Sequence, residues 1–321
     1  AAADLEIKLP ECGDPVLVSL PDAHGADQKW PAIFYLHGTN GKPRTDWMRF
    51  QTGPGHWIVV GMAYVERGAS YEVTPEALKR QMAAMNKVRD RLAAGHSLDP
   101  ARVYVCGLSK GGWMSDHLLQ ADRTLAGGAI LMAGHILDLP KNPKPYRKGL
   151  PIFIGVGRED GNYPFSLRAL QFHRKLGATV HMEDWPGLAH AVPQDGSAGL
   201  REWLALQVGK EVDSDAIDRE FAGIVGLDRV ERWWQLTRFR QRPAVAAEGS
   251  RWRAKTEEAL ASIRDDSAVA REAALYLEHR KLQAREITGR TVPEMKKVLH
   301  DYLQLIGRAR GSFQEELVGI D

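Results

Sequence analysis

The run Val103-Tyr104-Val105-Cys106-Gly107-Leu108-Ser109-Lys110-Gly111-Gly112-Trp113-Met114 constrains this chain more than any other stretch. A β-branched, apolar segment leads into Gly-x-Ser-x-Gly and then into a helix-forming segment, which predicts a strand, a sharp turn and a helix in direct succession. A backbone that reverses within so few residues passes close to itself, so Gly107 and Gly111 stand where side chains would collide. The turn pushes the Ser109 hydroxyl out at the end of a sheet, where it reads as a nucleophile. It also aims the Lys110 backbone N–H at the same point, as a donor to an oxyanion.

A helix and a strand pattern of this kind need a core, and the chain has one to offer: 321 residues, 44% hydrophobic and 26% charged. That length predicts one large domain with an appendage. The formal net charge of +2 gives no ground for expecting a nucleic-acid partner. No apolar run reaches the roughly eighteen residues of a membrane span. Two cysteines make no disulfide framework; Cys106 reads as a buried thiol in the strand, with a Cys12 to Cys106 bridge as the alternative. The sequence has no H-E-x-x-H, no paired CxxC and no GxGxxG, so neither a metal nor a cofactor is expected. The start Ala1-Ala2-Ala3 resembles the stub left by signal-peptide cleavage, from which secretion or a periplasmic location is expected, with a cytoplasmic location as the alternative.

Around the elbow the chain yields further strands. Leu5–Leu9 and Val16–Leu20 alternate, whereas Ala32–Leu36, Trp57–Tyr64, Val103–Cys106, Gly128–Ala133 and Ile152–Val156 carry the apolar runs of buried strands, and Thr179–Glu183 reads as a further strand. Helices alternate with them. One starts at Thr74-Pro75-Glu76 and carries a stripe of Leu78, Met82, Met85, Val88 and Leu92 that reads as core packing. Another spans about Phe165 to Leu176, and Ser97–Arg102 reads as a turn into the elbow strand. Only a short segment with Pro140, Pro143 and Pro145 separates two central strands, which leaves no room for a long lid there.

Two strand ends supply partners for Ser109. The Ile152–Val156 run enters Gly157-Arg158-Glu159-Asp160-Gly161-Asn162, where Asp160 is suited to orient an imidazole and Glu159 is its local rival. After the last strand comes Trp185-Pro186-Gly187-Leu188-Ala189-His190, which puts His190 in a Gly/Pro-bounded loop as general base, ahead of His135 and His181. The order Ser, Asp, His is that of the α/β-hydrolase class. Leu36-His37-Gly38-Thr39 ends an early strand, so the Thr39 N–H is the expected second oxyanion donor, with the His37 ring bracing the loop. Trp47 and Trp185 are candidates for stacking an aromatic acyl group.

The run Leu98 to Gly112, with Met114, the Leu36-His37-Gly38 turn and the late Gly187 to His190, resembles bacterial polyhydroxybutyrate-depolymerase-like and feruloyl-esterase-like α/β-hydrolases over residues 30 to 205. Dienelactone hydrolases are more distant, since their elbow carries cysteine. The resemblance implies an eight-stranded, mostly parallel sheet with helices on both faces and a triad of Ser109, Asp160 and His190. It also implies ester cleavage through an acyl-enzyme, with a small or polymeric ester as substrate. Two features depart from the family: the lysine after the nucleophile, and everything beyond residue 210.

From Glu211 the strand signal fades and Leu, Ala, Arg and Glu dominate. The division expected is residues 1–210 as an α/β-hydrolase catalytic domain and 211–321 as an all-helical extension. Its helices are expected around Ile217–Phe239, Ser250–Leu282 and Val292–Ile306, with Trp233 and Trp234 either in a core or lining a cleft. Two rival functions stand beside the esterase: a peptidase or amidase using the same triad, and a non-catalytic binding protein on a hydrolase scaffold.

Overall fold

The structure, a computed structural model, describes residues 4–25, 27–66, 73–288 and 291–312. The Ala1-Ala2-Ala3 start lies outside them. The chain divides into two compact units, Ala1–Lys210 and Glu211–Asp321.

The first unit holds one eight-stranded sheet in the order β1-β2-β4-β3-β5-β6-β7-β8. Its strands are β1 (Asp4–Ile7), β2 (Val16–Ser19), β3 (Trp30–Leu36), β4 (Ile58–Met62), β5 (Leu98–Leu108), β6 (Gly127–Leu131), β7 (Pro151–Gly157) and β8 (Thr179–Trp185). β1 and β2 pair antiparallel, β2 joins β4 antiparallel, and every pairing from β4 to β8 is parallel. The helices α1 (Asp46–Thr52), α2 (Pro75–Gly95), α3 (Lys110–Ala121), α4 (Tyr163–Lys175) and α5 (Ala198–Gln207) complete the unit.

The alternation of side chains along each strand sorts the apolar residues into two layers. Phe34, Leu36, Val103, Val105, Ile130, Ile152 and Ile154 pack with Leu78, Met85 and Val88 of α2 and with Leu118 of α3, Leu170 of α4 joining the same cluster. Ile33, Tyr35, Tyr104, Cys106, Ala129, Leu131 and Phe153 face the other way, into a layer with Met48 of α1 and Leu200, Trp203 and Leu204 of α5. Each Val, Leu, Ile, Phe or Met among them, taken fully out of water, stabilises the fold by about 1.5–3 kcal/mol before the loss of chain entropy is counted. Helices on both faces of a mostly parallel sheet in this strand order make the first unit an α/β-hydrolase fold. The Met82 and Met85 stripe is core, as the periodicity implied.

The turn expected over Ser97–Arg102 is instead strand from Leu98 onward. Trp30 pairs with Leu98 but Ala32 with Val103, so the extra residues of β5 are absorbed in a bulge. Asp99 holds that bulge, one carboxylate oxygen accepting from the Ala101 N–H (3.0 Å) and the other from the Arg102 Nε (2.7 Å). Both cysteines are free, so the alternative of a Cys12 to Cys106 bridge does not hold.

The second unit is helical throughout its described residues: α6 (Ser214–Val225), α7 (Arg229–Phe239), α8 (Pro243–Ala246), α9 (Arg251–Ile263), α10 (Ser267–Thr288) and α11 (Val292–Ala309). Two helices expected as single are each broken. Asp228 caps α7, its Oδ1 accepting from the Val230 and Glu231 N–H groups (3.1 and 3.2 Å), and Asp266 caps α10 through Ala268 and Val269 (3.0 and 3.2 Å). Ile217, Ile224, Leu236, Phe239, Trp252, Ile263 and Val269 form one cluster across these breaks. Trp234 is buried and Trp233 partly so, and both rings pack edge-on against Tyr276, which places them in the unit's own core. No described helix is long and apolar enough to cross a membrane.

Candidate active site

The elbow forms because its backbone has no room for side chains. A Cβ on Gly107 would lie 2.0 Å from the Gly111 carbonyl oxygen, and one on Gly111 would lie 2.0 Å from that of Leu36. Ser109 is left with φ +52° and ψ −113°, a conformation a non-glycine residue holds only when its surroundings impose it. Here its N–H donates to the Leu131 carbonyl of β6 (2.9 Å) and its carbonyl accepts from Trp113 in α3 (3.0 Å).

Asp160 sits in the turn after β7 and is 5% exposed. One of its oxygens accepts from the Asn162 N–H (2.9 Å), the other from Nδ1 of His190 (2.8 Å). A carboxylate only accepts, so this contact fixes the proton on Nδ1 and leaves Nε2 as an acceptor. That nitrogen lies 2.8 Å from the Ser109 hydroxyl. The His190 loop is held by β7: a Cβ on Gly157 would come within 2.0 Å of the Leu188 carbonyl, to which the Glu159 N–H donates (3.1 Å). Glu159 itself is exposed, whereas Asp160 is buried against the imidazole.

The loop after β3 lies against the nucleophile, since a Cβ on Gly38 would stand 3.6 Å from that of Ser109. His37 braces it as expected. Its Nδ1 donates to the Gly38 carbonyl (2.7 Å), which also accepts from the Gly41 N–H (3.1 Å). The Tyr64 hydroxyl, missed in the sequence because it closes an ordinary strand run, donates to the His37 carbonyl (2.7 Å). Burial pushes the His37 imidazole below its ordinary pKa and that of the Tyr64 hydroxyl above it. Thr39 is partly buried beside these groups, and its Oγ1 has no hydrogen-bond partner among the described residues.

Lys110 is the first residue of α3, directly after the nucleophile, so its backbone N–H stands at the start of that helix. Its ammonium lies 4.5 Å from the Tyr64 ring centroid, and burial pulls it below the ordinary lysine pKa. Trp47 on α1 is partly exposed, with its ring 5.4 Å from that of Tyr35. Trp185 is different. It is 4% exposed and packs over Gly155, where a Cβ would meet its ring at 2.6 Å, so it belongs to the core and offers no open face for stacking. Cys106 is wholly buried, and that burial pushes its thiol pKa up, away from nucleophilic use.

Of the other histidines considered, His181 lies within β8 and His135 pairs with buried Asp116. Asn162 is a supporting residue the sequence did not disclose. Its side-chain amide donates to the Met132 carbonyl (2.9 Å), tying the Asp160 turn to the end of β6, and only the Asp-x-Asn spacing hints at it. Among the described residues no group of three or more His, Cys, Asp or Glu side chains is arranged to hold a metal ion.

Residues 71–207 match the family model described as phospholipase/carboxylesterase. Two curated proteins of Arabidopsis thaliana are similar. A probable carboxylesterase, SOBER1-like, is 28% identical over 134 residues, covering 40% of this chain and 50% of its own. The carboxylesterase SOBER1 is 29% identical over 115 residues, covering 33% and 49%. The chain thus spans about half the length of the curated relatives it matches. Among solved structures, a carboxylesterase from Mesorhizobium loti aligns with TM-score 0.49 and 19% identity, over 62% of this chain and 98% of that one. A Bacillus cereus carboxylesterase aligns with TM-score 0.47 and 18% identity, over 60% and 93%.

Proposed function

We propose, from this likeness to carboxylesterases and from the site itself, that the protein hydrolyses carboxylic esters through an acyl-enzyme on Ser109. The single observation that carries the reading is the row Ser109 Oγ, His190 Nε2, His190 Nδ1, Asp160 Oδ2, with 2.8 Å at each of its two contacts. The Ser109 oxygen attacks the ester carbonyl while its proton passes to Nε2; Asp160 holds the ring in the tautomer that can accept it and stabilises the imidazolium that forms. The backbone amides of Lys110 and Thr39 receive the negative charge of the tetrahedral intermediate. The proton on Nε2 then leaves with the alcohol, and water repeats the sequence on the acyl group. We assign this chemistry to residues 1–210 and read 211–321 as a helical extension. No metal or cofactor enters the scheme.

The finer substrate class is an aromatic or polyester acyl group. It rests on the resemblance of the elbow region to feruloyl-esterase-like and depolymerase-like sequences and on the partly exposed ring of Trp47. Ser109→Ala should lower turnover of an aryl ester by about 10⁴–10⁶, and a fluorophosphonate should label wild-type protein at Ser109 alone. Aryl amides run beside the esters separate an esterase from an amidase. A folded wild-type chain that neither labels nor turns over an ester panel would instead be a binding scaffold.

A further inference from the structure

Asp116 lies on α3 seven residues beyond Ser109, about 10 Å along the helix, and is wholly buried. Its Oδ1 accepts from Nε2 of His173 (2.8 Å), and its Oδ2 from the Gln120 amide (2.8 Å) and from Nδ1 of His135 (3.1 Å). The outer atoms of these partners are held in turn. His173 Nδ1 accepts from the Tyr146 hydroxyl (2.8 Å), the His135 ring stacks on Phe172 at 3.7 Å with its Nε2 3.0 Å from Asp138, and Gln120 Oε1 accepts from the Leu139 N–H (2.9 Å). Burial alone would raise the Asp116 pKa, but the bonds from His135 and His173 outweigh it and keep the carboxyl below the usual carboxylate range.

The partners come from the segments that carry the site. α3 leaves the elbow. His135 ends the segment Met132–His135, whose Met132 carbonyl accepts from Asn162, whose Ala133 carbonyl accepts from the Ser166 hydroxyl, and whose His135 N–H donates to Phe165 (3.1 Å). His173 lies on α4, which starts three residues after Asp160. A Cβ on Gly134 would stand 2.1 Å from the Phe165 backbone, so this segment lies directly on the first turn of α4.

Resting on the functional reading above, we propose that Asp116 is a positioning residue: its carboxylate bolts the nucleophile's helix to α4 and to the segment after β6, and so sets the distance between Ser109 and the Asp160–His190 pair. Among the described residues its hydrogen bonds go to His135, His173 and Gln120, not to the reacting groups, so it acts through the elements it joins. The cost of losing it follows from geometry, because a misplacement of about 1 Å in a catalytic array is worth about 100-fold in rate.

The test is Asp116→Asn, which keeps the shape but presents an NH₂ to one of the donors. Competent sites are counted by fluorophosphonate titration and kcat is expressed per titrated site. The expected result is a fall in kcat and in the rate of phosphonylation of about 10–100-fold, with KM for a small aryl ester changed less than about threefold. His173→Gln, which restores an amide donor toward Asp116, should keep kcat within about threefold of wild type, whereas His173→Phe should not. If Asp116→Asn does not fold, His173→Phe, which leaves His135 and Gln120 on the carboxylate, is read by the same criteria. A variant that melts earlier but keeps wild-type kcat per titrated site would show a purely structural role and overturn the proposal. Wild-type protein that fails to label at Ser109 overturns the ester-hydrolase reading instead, and the positioning role falls with it.

Discussion

At Gly107 a single added methyl group decides whether the elbow can exist. Its Cβ would press on backbone rather than on a side chain that can swing away, so Gly107→Ala should cost about 3 kcal/mol or more. Gly55→Ala, where nothing lies within 4 Å of the new atom, should change stability by less than about 0.5 kcal/mol in the same denaturant titration. His117 gives a second prediction. It is buried, and neither ring nitrogen has a hydrogen-bond partner among the described residues. Burial holds its pKa below the ordinary histidine value, against the pull of the Asp116 charge. The unfolded chain therefore takes up a proton below about pH 6.5 that the native chain refuses, and stability falls as pH is lowered from there. His117→Leu removes that proton uptake, so the drop in Tm between pH 7.5 and 5.5 should shrink. An unchanged drop would show that His117 stays neutral in both states or charges without penalty.

Elements differ in how plainly the sequence announces them, and the reason is physical. The central strands were legible because continuous apolar runs bounded by Gly and Pro have few other uses, and the nucleophile segment because its glycines are dictated by contact with backbone. His190 and Asp160 could be located from strand ends alone. The breaks at Asp228 and Asp266 could not, since the apolar spacing continues across both and a single aspartate does the interrupting. Asp228→Ala and Asp266→Ala should each cost about 1 kcal/mol, read as a lower Tm of the helical signal. Trp185 was misplaced because an aromatic at a strand end gives no sign of which way its ring folds; here Gly155 leaves the slot that takes it in. The Asp116 cluster was illegible for a related reason. Its partners come from separate elements, and nothing local in α3 marks a buried acid as satisfied.

For the whole molecule, Ser109, Asp160, His190, Thr39 and Lys110 all belong to the first compact unit, and each unit has its own apolar clusters. A chain ending at Lys210 should therefore fold and hydrolyse a small aryl ester with kcat/KM within about threefold of the full chain. Loss of the sheet's circular-dichroism signal on truncation would show that the helices are needed for folding. Turnover of bulky or polymeric esters is the comparison that shows whether the extension acts on substrate. A further consequence lies in the openness of His190, whose side chain is 47% exposed. On the proposed acyl-enzyme route, an imidazole so freely reached by solvent would take its deacylating nucleophile from bulk liquid rather than along a guarded channel. In mixtures of water and methanol part of the acyl group should accordingly leave as methyl ester, in a ratio to acid that rises linearly with the methanol-to-water ratio.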